Sequence, residues 1–109
     1  MKNVEHINAE LIKHRNELAT LHKAQNELLK ERARGGVTDT DFKAKQKVLD
    51  LSFKTTRARI DRFEKLRIYR ERANDEGVIL ERDRLANLLK KRKRVAIKRA
   101  IEDLDFIID

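Results

Sequence analysis

The sequence predicts an all-α protein: a long antiparallel helical hairpin of coiled-coil character plus a third long basic helix, closing as a three-helix bundle or a dimeric helical assembly. Three observations carry that expectation. Charged residues make up 42% of the 109-residue chain and apolar residues 39%, with no proline and three glycines, the composition of long helices. Apolar residues recur in alternating steps of three and four. The β-branched and aromatic runs that build strands are missing. A single all-helical domain over 1–109 is expected at this length, with helices at about 3–34, 39–73 and 78–107.

The first helix is read from Val4, Ile7, Leu11, His14, Leu18, Leu21, Gln25, Leu28 and Arg32. These hold an a/d seam for about four heptads, close to 48 Å of helix. His14 and Gln25 interrupt the apolar seam and are expected to be half-exposed. Gly35-Gly36 ends the helix, because glycine accepts the positive φ of a C-cap. Thr38 is the expected N-cap of the next, with Asp39 and Asp41 in its first turn. So short a connection forces an antiparallel hairpin.

The second helix carries the seam Phe42, Gln46, Leu49, Phe53, Thr56, Ile60, Phe63 and Arg67. Val48, Leu66 and Tyr69 widen its stripe, which suits packing against two neighbours. Asn74-Asp75-Glu76-Gly77 reads as the next break. In the third segment Leu85, Leu88, Leu89 and Ala96 share one face. Ile97, Ile101, Leu104 and Ile108 share another, rotated by roughly a quarter turn. No proline marks a kink, so one long helix with two contacts is expected. The acidic and apolar tail from Ile101 to Asp109 is expected to complete the bundle.

Charge points to function. Residues 82–99 hold nine cations against one acid, a local +8 that equals the charge of the whole chain. Such a block is a handle for an anionic partner. On a helical wheel Arg84, Lys90, Lys91, Arg94 and Lys98 fall opposite the Leu85–Leu89 face, so a cationic rod is expected to lie along phosphates. Arg57 and Arg62 would support it, from a second basic stretch of net +4 over 57–72. About eight neutralised phosphates would give a log K against log salt slope near −7 on duplex DNA. Asn87 and Arg94 form the one suggestive base-reading pair. The Lys90–Arg94 pentad also has the shape of a nuclear import signal.

The expected function is therefore a small non-enzymatic protein, a regulator or packaging accessory, that binds nucleic acid or a nucleoprotein through its basic helix. The alternative is a coiled-coil adaptor or inhibitor that grips an acidic surface of another protein. Self-association into a dimer fits either, since thin helices leave apolar stripes to cover. Catalysis has no evident foothold: Ser52 has no nearby histidine, and Gly35-Gly36 lacks the lysine of a phosphate loop. No small-molecule substrate and no cofactor are expected. His6, Glu10 and His14 share a helical column, but the paired Glu-x-x-His of a di-iron bundle is missing, so no metal is expected. The absence of cysteine removes disulfides and suits a cytoplasmic location. No apolar leader follows Met1, and no run is long enough for a membrane span.

Overall fold

The computed structural model describes residues 3–108; Met1, Lys2 and Asp109, the last of the acidic tail, lie outside it. It is all-helical, with α1 (Val4–Ala33), α2 (Asp39–Arg72), α3 (Asp75–Lys91) and α4 (Val95–Ile108). Among the described residues there is no strand, and no helix is long and apolar enough to cross a membrane. The chain divides into two compact units. One is Glu10–Arg62; the other joins Met1–Ala9 to Phe63–Asp109.

In the Glu10–Arg62 unit, α1 and α2 lie antiparallel. Gly35 takes φ 75°, its N–H donates to the Arg32 carbonyl at 3.1 Å, and the Gly36 N–H donates to Glu31 at 2.9 Å. Those two bonds satisfy carbonyls that the helix end would otherwise leave open. Thr38 caps α2 as expected, its Oγ1 accepting from the Asp41 N–H at 3.2 Å. The register is fixed by three cross-links at increasing distance from the turn. The Arg32 guanidinium sits 4.1 Å over the Phe42 ring. Gln25 and Gln46 exchange amide hydrogen bonds of 2.7 and 2.6 Å. His22 meets Phe53 at 4.9 Å between ring centroids. The glutamine pair is why a polar residue sits in each seam: each amide satisfies the other, so neither stands unpaired in a half-buried site.

His14 departs from expectation. It is buried, with 6% of its surface exposed. The cause lies one turn to either side: Glu17 Oε2 stands 3.1 Å from Nδ1 and Glu10 Oε2 3.6 Å from Nε2. Carboxylates facing both ring nitrogens make burial tolerable where an unpartnered imidazole would be costly. The same hydrogen bond from His14, with the nearby charges of His14, Lys13 and Arg59, holds the Glu17 carboxyl below the usual carboxylate range against a smaller opposing effect of burial. A depressed carboxylate pKa contributes stability that is fully present above the unfolded-state value. It is lost as pH falls through the lower folded-state value. Glu17→Gln is therefore expected to flatten the stability profile on the acid side, below about pH 4.5. Denaturant melts at several pH values check it; an unchanged acid limb would sink the assignment.

The second unit holds the start of α1, the end of α2, and α3 with α4. Asn74 caps α3, its Oδ1 accepting from the Gly77 N–H at 2.7 Å. The helix thus starts at Asp75, three residues before the expected Val78, and Gly77 lies inside its first turn. A Cβ there would stand 3.0 Å from Asn74 Oδ1, so glycine lets the cap close tightly. Ile7, Leu66, Val78, Leu104 and Ile107 are the buried apolar residues, and Phe63 meets Phe106 edge-on at 5.5 Å. The tail segment therefore packs against its own chain.

The expected third long helix is wrong: the chain leaves the helix at Arg92–Arg94 and returns. Arg82 Nε donates to Asp105 Oδ1 at 2.8 Å, two residues nearly equidistant from the turn, which makes α3 and α4 antiparallel. Two physical terms favour the break. A continuous helix would place like charges of Lys90–Arg94 at i, i+3 and i+4, costing about 0.2–0.5 kcal/mol per pair. More decisively, a straight helix would carry Leu104 and Ile107 away from the core, forfeiting about 1.5–3 kcal/mol for each. Two or three solvated helical hydrogen bonds, about 1 kcal/mol each, do not outweigh that.

Candidate anion-binding turn

The turn is built from ordinary backbone. Arg92 ends α3 in an extended conformation, φ −136° and ψ 96°, with its N–H on the Leu88 carbonyl. The Arg94 N–H donates to Arg92 O at 2.8 Å, and the Arg94 carbonyl accepts from Lys98 N at 3.2 Å to open α4. Lys90 and Lys91 occupy the last turn of α3, where cations suit the helix dipole. At α4 the electrostatics reverse. Its first turn holds no acid, and Arg92, Lys93 and Arg94 lie at the helix end that prefers negative charge. An anion seated there would meet both free N–H groups and cationic side chains.

Seven cations and no acid fall within 90–99. Lys90, Lys91, Arg92, Lys93, Arg94, Lys98 and Arg99 are all exposed. None of the seven makes an ion pair or side-chain hydrogen bond with another described residue. The cations further along α3 are engaged instead. Arg82 is held by Asp105 and Arg84 by Glu81, contacts that raise both guanidinium pKa values and lower that of Glu81.

Of the residues expected to form the site, Lys90, Lys91, Arg94 and Lys98 come together around one turn. They do so on two elements and a connection, not along one rod. Arg84 stands two turns back and is paired. Asn87 and Arg94, expected on one helix face, lie on α3 and in the turn. Arg57 and Arg62 belong to the Glu10–Arg62 unit, and Arg57 lies 5.2 Å over the Phe53 ring. Arg92, Lys93 and Arg99 were not expected as site residues. Only the turn makes them so, because it turns a helix circumference into an apex. No family model, curated protein or solved structure matches this chain.

Proposed function

We propose that this protein is a non-enzymatic nucleic-acid-binding protein that grips the phosphate backbone with the α3–α4 turn. One observation carries the reading: seven exposed cations, unpaired among the described residues, gathered at a helical apex. Phosphate contacts position a protein but carry no sequence information, so the binding is of backbone and largely sequence-independent. The coiled-coil-like α1–α2 hairpin acts in this reading as a scaffold. A cytoplasmic, cysteine-free chain fits the same role.

An apex of this size reaches about four or five phosphates, so log K should fall with log salt at a slope of about −4 on duplex DNA. That is shallower than a rod engaging eight would give. A mobility-shift titration across salt measures it; no binding at low salt, or a flat response, would end the proposal. The adaptor reading has one observation of its own. Val95, beside the cations, is 68% exposed, and an apolar residue within a basic patch suits an acidic protein surface. A stoichiometric protein partner that survives nuclease treatment, with no affinity for DNA, would select that reading.

A further inference from the structure

The Glu10–Arg62 unit has two unlike faces. Immediately after the seam on α2 come Lys43, Lys47, Asp50, Lys54 and Arg57, a solvated charged edge. Immediately before it come Lys45, Val48, Ser52 and Thr55, with Ala44 and Leu51 one position further round; Val48 and Leu51 are the exposed apolar residues among them, at 65% and 66%. On that side two cavities follow one another along the α1–α2 groove. Ala24 and Ala44 face the first, Thr20 and Ser52 the second. Small side chains of this kind let another helix approach closely.

The groove has an acidic wall and a basic wall. Glu27 and Glu31 of α1 line the first cavity opposite Lys45 of α2. Glu17 lines the second opposite Arg59. Neither Glu31 nor Lys45 has a side-chain partner among the described residues. We propose that this groove is covered by the same groove of a second copy of the chain, with the two hairpins parallel.

The charges select both occupant and direction. A two-fold interface brings one patch against itself. If the axis runs along the helices, each α1 faces the partner's α2 at the same level. Glu27 and Glu31 then meet the partner's Lys45, and Glu17 meets the partner's Arg59. If the axis crosses the helices, α1 faces α1, and acids oppose acids. Only the parallel dimer is complementary at every level while burying Val48 and Leu51 twice over.

The test uses the full chain after nuclease treatment, which separates this interface from nucleic-acid binding. Sedimentation should give twice the 12.9 kDa chain mass; a monomer at every concentration would overturn the proposal. Val48→Glu with Leu51→Glu should raise the dimer dissociation constant by about 100-fold or more with unchanged helicity. An undiminished dimer would place the interface elsewhere. Lys45→Glu should weaken association, and adding Glu31→Lys should restore it; no restoration would refute the charge register. A Cβ at Gly36 would stand 3.5 Å from the Glu31 carbonyl oxygen, an ordinary contact, so Gly36→Cys gives a single thiol at the hairpin turn. A short bismaleimide should link two such chains efficiently. An intact dimer that resists linking would rule out the parallel arrangement.

Discussion

Replacing Lys91, Arg94 and Lys98 together by glutamine should lower affinity for duplex DNA about 100-fold at 0.15 M salt and make the salt slope shallower by nearly 3. The magnitude follows from counterion release, in which each lost phosphate contact removes about 0.9 from the slope. The effect should be the same for any duplex sequence, because the lost contacts are to the backbone. Folding should be nearly untouched, since all three side chains are exposed and unpaired among the described residues. The small terms also oppose each other. Lys91 favours the C-terminus of α3, whereas Arg94 and Lys98 oppose the dipole at the start of α4. Thermal melts alongside the titration separate lost binding from lost structure. The same substitution at Arg57 and Arg62 is the comparison. If that pair moves the slope as much as the triple variant, the apex is not the site.

What could be read from the sequence, and what could not, follows from how each turn is made. The α1–α2 turn was legible because it needs a positive φ at Gly35 and a side-chain cap at Thr38, and both leave residue signatures. The α2–α3 boundary was legible to within a few residues, because Asn74 caps by hydrogen bond. The α3–α4 turn left no such mark. Arg92 reverses the chain with φ and ψ that any residue adopts, so neither glycine nor proline was needed. Its one trace was the rotation between the Leu85–Leu89 face and the Ile101–Leu104 face. A straight helix reads this as two neighbours; a broken one reads it as two faces turned to one core. The site inherited that ambiguity. The cations were visible in the sequence, but whether they formed a stripe or an apex depended on a backbone choice that side-chain identity did not encode. His14 shows the same limit on a smaller scale. Its burial rests on Glu10 and Glu17 one turn away, while periodicity registers only that a polar residue sits in the seam.

Ile107→Ala offers the sharpest check on that turn, because the two architectures assign the residue opposite environments. In the folded-back hairpin Ile107 is fully buried. Removing three carbons from such a site costs about 2–5 kcal/mol. Against a total of about 5–15 kcal/mol for a domain, that is a large share. For a chain of this length a loss of 3 kcal/mol should lower the melting temperature by about 12–24 °C. In a continuous helix, residue 107 would lie some 24 Å beyond the end of α3, far from Val78 and Leu66, and truncation would cost under about 0.5 kcal/mol. Val95→Ala is the internal standard: it sits on the same helix but is 68% exposed, so its cost should be within about 0.5 kcal/mol. Denaturant melts of the two variants measure the difference directly. Equal, small losses would mean that α4 does not return to the core. The apex that gathers the seven cations would then not exist, and the DNA-binding geometry would fall with it.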